Sequence, residues 1–378
     1  MHNLTKQLSF LLLSCLILSF SEESKADYTF PFVPIYSKGD SLEYAYPKPV
    51  IIYEDVAETK IIIDGMPAYK TQDSLGECRA FSLATLVQKY TCDKWKSDIP
   101  DCKNPPSDSA ISYFGMMAYT NRSIEEGKTF QPNQDKARNI VEIINDLSKY
   151  GNKLILESCK PFDQLVNSFD PSTESGLSKK SKFFNYLREL YEKNSTRTEA
   201  DILDCPECMA KVKDNYGLDV NLINLKKALQ KNDKSFDKFL YTLFFDECKM
   251  ESFPVGFTAA AYPSDSMNVT ADDLKNQVIK GLKLAKPVLF SGLCVSGDKG
   301  DECTQSHSLV IAGYKKVCVL GSTTNCKNLF KLHNSWGAEW QRINNDGWVD
   351  ADTLMRNSSK VQTKAGIRNE SASVIWLN

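Results

Sequence analysis

The sequence predicts an α+β protein, because helical and strand-like patterns occupy different stretches of its 378 residues. Apolar residues recur at helical spacing after Cys78, and again in several stripes between residues 163 and 252. Towards the carboxyl end, the short apolar run at 309–312 ends at Gly313 and is typical of a buried strand. Hydrophobic residues make up 42% and charged residues 25% of the chain, a balance that indicates a folded core rather than disorder.

The charge balance argues against one class of partner. The formal net charge at pH 7 is -2, so the composition gives no reason to expect binding to nucleic acid or to another polyanion. Beyond the first 26 residues, no segment of the sequence is apolar enough for us to expect a membrane span.

The first 26 residues have the pattern of a signal peptide. After a short polar start, residues 8–20 are almost entirely apolar, a run too short to cross a bilayer. A small-residue cleavage pattern at 24–26 would make Asp27 the first mature residue. We therefore expect a protein that is secreted, periplasmic or in another extracytoplasmic compartment. A buried amino-terminal helix and a lipid anchor at Cys15 are the alternatives.

Cysteine content agrees with an oxidising compartment. Of the 12 cysteines, 11 remain (12 minus 1) when Cys15 leaves with the signal peptide, and an odd cysteine indicates a reactive thiol or an intermolecular link. If Cys78 is the unpaired one, ten cysteines remain for five pairs; spacing suggests Cys92–Cys102, Cys294–Cys303 and Cys318–Cys326, and two more pairs would complete the set, although the sequence alone does not determine connectivity. Those two pairs are Cys159–Cys248 and Cys205–Cys208. Half a zinc site is the alternative for the Cys-x-x-Cys pair, but nothing in the sequence supplies the other half.

Cys78 has the surroundings of a nucleophile. Apolar residues at positions 80, 83, 84 and 87 form a helical stripe, so the cysteine is expected at the amino terminus of a helix. There the helix dipole favours a thiolate and lowers the thiol pKa from its free value of about 8.5. The backbone N–H of Cys78 and the side-chain amide of Gln72 are candidate donors to an oxyanion. The alternative is a buried structural cysteine.

Few histidines are available as the base. The chain has three, and His2 is lost with the signal peptide. His307 begins the predicted strand, where its ring can face a cleft, and His333 begins the next segment. Asn334 can accept the ring proton of His307 and fix its tautomer, while Trp336 can shield that hydrogen bond from water.

Three motifs resemble those of the papain family of cysteine proteases. Residues 72–82 read QDSLGECRAFS and look like the nucleophile motif of that family. The pair at 306–307, with the apolar run after it, is similar to the histidine motif, and residues 334–337 resemble the asparagine motif residue for residue. The order Cys, His, Asn is also the order in the family. The likeness covers roughly residues 50–162 and 252–350.

The resemblance implies a papain-like two-lobed fold, with Cys78 in a helical lobe and His307 and Asn334 in a β-rich lobe. It implies a cysteine-type peptidase, a hydrolase of proteins or peptides that needs neither metal nor cofactor. Carried over by position, Cys78 is the nucleophile, His307 the base and acid, Asn334 the orienting residue and Gln72 the oxyanion-hole residue.

The chain also departs from that family. Arg79 stands where the family usually has tryptophan, Glu77 precedes the nucleophile, and Leu75 replaces a common cysteine, so the family's disulfide pattern cannot be copied. Glu77 would raise and Arg79 would lower the pKa of the Cys78 thiol. The alternative function is a catalytically impaired papain-like pseudoenzyme that acts as a binding or inhibitory module. A transglutaminase-like or amidase enzyme is a further one, although many of those use an aspartate to orient the base.

The spacing of the motifs predicts an insertion. From Cys78 to His307 is 229 positions (307 minus 78), against about 130–150 for the papain type. We place the extra residues in a small helical insertion at about 163–252, stapled by its own cysteines. The expectation is that it forms ordinary core; the alternative is a functional role, in which it covers the cleft or recruits a substrate. The predicted organisation is a signal peptide at 1–26 and a peptidase domain at 27–378. The segment before Cys78 leaves no room for a long propeptide, so we expect activity without its removal.

Overall fold

An eight-stranded antiparallel sheet organises most of the described chain after residue 258. The computed structural model describes residues 53–72, 78–113, 115–116, 140–149, 153–159, 186–193, 222–230, 236–248, 251–252, 256, 258–262, 270–296, 305–357 and 372–378. The strands of the large sheet are β1 (Tyr53–Asp55), β2 (Ile61–Ile62), β5 (Ala259–Tyr262), β6 (Val288–Ser296), β7 (Gln305–Val319), β8 (Cys326–His333), β9 (Trp348–Asp350) and β10 (Ser373–Leu377). Strands β3 (Lys153–Leu154) and β4 (Glu251–Ser252) form a separate pair.

Strand β7 is the longest of these and lies at the centre of the sheet. The strand order is β5-β10-β6-β7-β8-β9, and β8 pairs along one edge of β7. Strands β6, β2 and β1 follow one another along its other edge. Consecutive residues 307–312 are all buried, so both faces of this part of β7 are covered. The predicted strand at 309–312 is therefore confirmed, and it is the rigid element that carries His307.

Helices cover the sheet and build a second part of the core. They are α1 (Cys78–Lys94), α2 (Ile140–Lys149), α3 (186–193), α4 (Leu222–Gln230), α5 (Phe236–Phe245), α6 (Ala271–Lys283), α7 (Gly337–Ile343) and α8 (Ala351–Arg356), with short 3-10 turns at Ala57–Thr59 and Asn345–Gly347. Helices α1 and α6 both pack against β7. The combination of helices and an antiparallel sheet confirms the α+β class.

Helix α1 confirms the stripe seen in the sequence. Its first described residue is Cys78, and the side chains at positions 80, 83, 84 and 87 are completely buried. Lys94 stands in its last turn, where a cation is favoured by the helix dipole. Because α1 is anchored along its whole apolar face, its first residue is held in a fixed place beside the sheet.

The helices between 163 and 252 share the core of α1. Leu187 of α3, Leu225 of α4 and Phe239 of α5 belong to the same buried cluster as Phe81 of α1. The stripes are therefore ordinary core, as the first of the two expectations had it. Phe183 and Leu218, two further apolar residues at helical spacing in this stretch, lie outside the described residues.

Three of the predicted disulfides are confirmed. They join Cys92 to Cys102, Cys159 to Cys248, and Cys318 to Cys326. Cys248, which lies within the predicted insertion, bonds to Cys159, as predicted, and so ties the insertion to the chain before it. The signal peptide with Cys15, the pair Cys205–Cys208 and Cys303 lie outside the described residues. Among the helices that are described, none has both the length and the apolar character to cross a membrane.

Candidate active site

Four separate segments bring the predicted site residues together. Cys78 opens α1, His307 lies on β7, Asn334 directly follows β8, and Gln72 ends the described segment 53–72. Helix α1 packs on β7, and β8 is the neighbour of β7, so Cys78, His307 and Asn334 meet where these three elements touch. All four side chains are buried.

The His307 ring is held by Asn334. Its Nε2 lies 2.8 Å from Asn334 Oδ1. An amide oxygen only accepts hydrogen bonds, so Nε2 carries the proton that is donated and Nδ1 is left for the thiol. The backbone N–H of Ser335 also donates to Asn334 Oδ1, at 2.9 Å, and fixes which end of the amide faces the ring. The arrangement sets one tautomer of the imidazole, which is the function of an orienting residue.

Charges and hydrogen bonds around Cys78 favour its thiolate. Burial alone would raise the thiol pKa, but the positive charge and hydrogen bond of the His307 ring act against it and lower the pKa overall. The Ser308 backbone N–H and the Arg79 guanidinium lower it further. Arg79, the most evident departure from the papain motif, thus favours ionisation of the Cys78 thiol. Glu77, expected to oppose it, lies outside the described residues.

Two tryptophans cover the base. The Trp336 ring lies over His307, with ring centroids 4.8 Å apart and planes tilted by 33°. Trp340 meets Trp336 edge to face at 5.7 Å. Apolar rings on this side keep water from the bond between His307 and Asn334, and a hydrogen bond in such surroundings is stronger than one in water.

Gln72 is fixed against the residue after Asn334. Its backbone N–H donates to the Ser335 carbonyl at 2.7 Å, and the Ser335 hydroxyl donates to its side-chain Oε1 at 2.5 Å. With the amide oxygen engaged, the NH₂ group is the end that can serve a substrate. Gln72 is 5% exposed, so this donor is oriented by the protein before any substrate arrives.

Sequence reasoning missed two serines that support the site. The Ser82 hydroxyl lies 2.7 Å from the Cys78 carbonyl and 2.8 Å from the Ser308 carbonyl, so it ties the first turn of α1 to β7 beside His307. Its position four residues after Cys78 was a usable signal, because serine in a helix often bonds to the carbonyl one turn earlier. Ser335, by contrast, acts through a contact across the fold that no local pattern reveals.

The site contains no arrangement that suggests a metal. Within the described ranges, no group of three or more histidine, cysteine or carboxylate side chains is placed to hold an ion. What the arrangement offers is a thiol with a lowered pKa, an imidazole with a fixed tautomer and oriented N–H donors, which are the kinds of group that acyl transfer requires.

Comparison with known proteins adds no relative: no protein-family model and no curated protein matches the chain. The function of the site is therefore inferred from its residues and their geometry.

Proposed function

We propose that the chain is an exported papain-like cysteine peptidase of the two-lobed type, which hydrolyses peptide bonds through a thioester. The observation that carries the proposal is the buried Cys78 thiol at the start of a helix, hydrogen-bonded to His307, whose Nε2 is held by Asn334 at 2.8 Å. A structural cysteine requires neither an oriented base nor a lowered pKa, so the set is better explained by nucleophilic catalysis.

The first half of the reaction forms the thioester. The Cys78 thiolate attacks the carbonyl carbon of the scissile bond, and the carbonyl oxygen becomes an oxyanion. The Cys78 backbone N–H and the Gln72 NH₂ group donate to that oxyanion, and removing one such donor typically costs about 2.7–4 kcal/mol of the transition state's stabilisation. Protonated His307 gives its Nδ1 proton to the leaving amine, the C–N bond breaks, and the first product departs.

The second half hydrolyses the thioester. Neutral His307 takes a proton from water, the resulting hydroxide attacks the thioester carbon, and the same donors hold the second oxyanion. The C–S bond then breaks, the carboxylic acid leaves, and the thiolate and imidazolium are restored. Asn334 holds Nε2 through both halves, so the ring keeps Nδ1 towards the reacting atoms.

Export is supported by the disulfides. The three described ones form and persist in an oxidising compartment, and the predicted signal peptide leads to such a compartment. The free Cys78 thiol among these bonded cysteines fits a residue that is kept for reactivity.

Labelling and cleavage together test the proposal. A thiol-alkylating epoxide inhibitor is expected to modify Cys78 and to abolish cleavage of casein or of a fluorogenic peptide, and both effects should vanish in Cys78→Ala. His307→Ala is expected to slow labelling, whereas Ser322→Ala, in the turn after β7, should leave it unchanged. Labelling at another residue would refute the assignment of Cys78 as the nucleophile. Labelling of Cys78 with no cleavage would favour the pseudoenzyme, and amine incorporation would favour an acyl-transferase.

A further inference from the structure

An aromatic stack joins the segment of Gln72 to that of Asn334. The Tyr69 ring lies against the His333 ring, with centroids 4.3 Å apart and planes inclined by 29°. Tyr69 is three residues before Gln72, and His333 immediately precedes Asn334. The stack therefore connects the two short segments that carry the oxyanion donor and the orienting residue, and it does so outside the four predicted residues.

Backbone contacts continue this connection on the far side of Asn334. Thr71 forms an antiparallel bridge with Trp336, and the Gly337 N–H donates to the Lys70 carbonyl at 3.2 Å. The Gln72 N–H and side chain bind the next residue in line, Ser335. These contacts hold the segment from 70 to 72 against 335–337, and the stack adds the contact on the side of His333.

The surroundings of His333 keep its ring uncharged. The ring is 6% exposed, and burial, with Lys331 on the same strand adding to it, lowers the pKa of His333 to about 3. Lys331 forms an ion pair with Asp346. Burial, and to a smaller extent the negative charge of Asp346, raises the pKa of Tyr69 to about 12, so the stacked phenol is neutral as well. The residue opposite His333 on β7 is the apolar Val310.

What His333 contributes is a flat ring. Its buried Nε2 makes no hydrogen bond to any residue that the structure describes. A nitrogen that bonds to none of the described residues gives no reason for a histidine in particular, whereas the face of the ring is in contact with Tyr69. Two neutral stacked rings stabilise a contact by about 0.5–1.5 kcal/mol beyond the area they bury.

We propose that Tyr69 and His333 are positioning residues, whose stacked rings hold the segment ending at Gln72 against the segment beginning at Asn334. This inference rests on the proposed function, because it takes Gln72 as the oxyanion donor and Asn334 as the orienting residue. Without the stack, the hydrogen bonds to Ser335 are left to place the Gln72 NH₂ group, and a displacement of about 1 Å in such a group can cost roughly 100-fold in rate.

Substitutions that remove or keep the ring face test the proposal. Tyr69→Ala and His333→Ala are expected to lower kcat on a fluorogenic peptide about tenfold or more, with KM within about twofold, because the donor serves the transition state rather than the bound substrate. Tyr69→Phe and His333→Phe keep the stack and are expected to retain kcat within about threefold. Tyr314→Ala, which removes a ring that packs on Phe330 elsewhere in the sheet, is the control for general loss of packing.

Hydrogen exchange supplies a readout that does not depend on the chemistry. The amides of Gln72 and Gly337 donate across the two segments, so the alanine variants should exchange them about tenfold faster, while the phenylalanine variants and Tyr314→Ala should not. If the alanine variants do not fold, Tyr69→Leu and His333→Leu fill the same space without an aromatic face and give the same test.

The outcomes separate this inference from the function it rests on. Unchanged exchange, or phenylalanine variants that lose as much kcat as the alanine ones, would overturn the positioning role even in an active peptidase. Faster exchange in the alanine variants of a protein that cleaves no peptide would support the stack as the connection between the segments and would overturn the proposed function.

Discussion

A buried uncharged histidine makes the fold sensitive to acid, and His333 provides a quantitative prediction. Burial first, and then the charge of Lys331, lower its pKa from 6.5 to about 3. Between pH 6.5 and 3, His333 is therefore protonated in the unfolded chain but not in the folded chain. The stability associated with neutral His333 is fully present above pH 6.5 and is lost as the pH falls towards 3.

The size of the effect follows from the two pKa values. The difference of about 3.5 units (6.5 minus 3), at 1.36 kcal/mol per unit, gives about 5 kcal/mol as the full loss. At pH 4.5 the unfolded state is almost completely protonated at this residue and the folded state is not. The loss between pH 7 and 4.5 is then about 3 kcal/mol.

His333→Phe removes this proton and keeps the ring face. Urea unfolding of both proteins at pH 7 and 4.5 measures the change, with other titrating groups cancelling in the comparison. The wild type is expected to lose about 3 kcal/mol more than the variant over this range. Equal losses in the two proteins would mean that His333 is protonated in the fold at pH 4.5, and the reasoning about its burial would be refuted.

Three further predictions concern stability and the site. Gly347→Ala should lower the free energy of unfolding by more than about 2 kcal/mol in a urea titration. The reason is that φ at Gly347 is +79° and an added Cβ would lie 2.5 Å from the Leu332 carbonyl oxygen. An unchanged free energy of unfolding would contradict this backbone geometry. Asn334→Ala should reduce kcat about 10–100-fold in a peptide assay while a native fold persists by circular dichroism, and full activity would exclude its orienting role. Replacing Cys159 and Cys248 by serines should lower the free energy of unfolding by about 4.6 kcal/mol, and replacing Cys318 and Cys326 should lower it by about 2.5 kcal/mol. The difference arises because the two disulfides close loops of 89 and 8 positions. A larger loss of thermal stability in the second variant would contradict this argument.

Local patterns in the sequence predicted the elements of the site well. The stripe after Cys78 indicated the helix and its first residue, because burial of one helix face repeats at a fixed spacing. The apolar run after His307 indicated the buried strand for the same kind of reason. Short separations also made the pairs Cys92–Cys102 and Cys318–Cys326 evident before the fold was known.

Contacts between distant segments were not predictable in this way. The stack of Tyr69 on His333, the hydroxyl of Ser335 on Gln72 and the sharing of one core by α1 and α3–α5 all join residues far apart in the chain. Periodicity reports which face of an element is buried, but it does not report which other element covers that face. The parts of the site that depend on such covering contacts became evident only in the structure.

The pH dependence of Cys78 alkylation by iodoacetamide tests the central claim most directly. A thiolate held by His307 should react at pH values below the ordinary thiol pKa of about 8.5, and His307→Ala should move the rate profile back towards that value. Loss of alkylation in Cys78→Ala would identify Cys78 as the reacting thiol. A wild-type profile that rises only near pH 8.5 and is unchanged by His307→Ala would contradict the account.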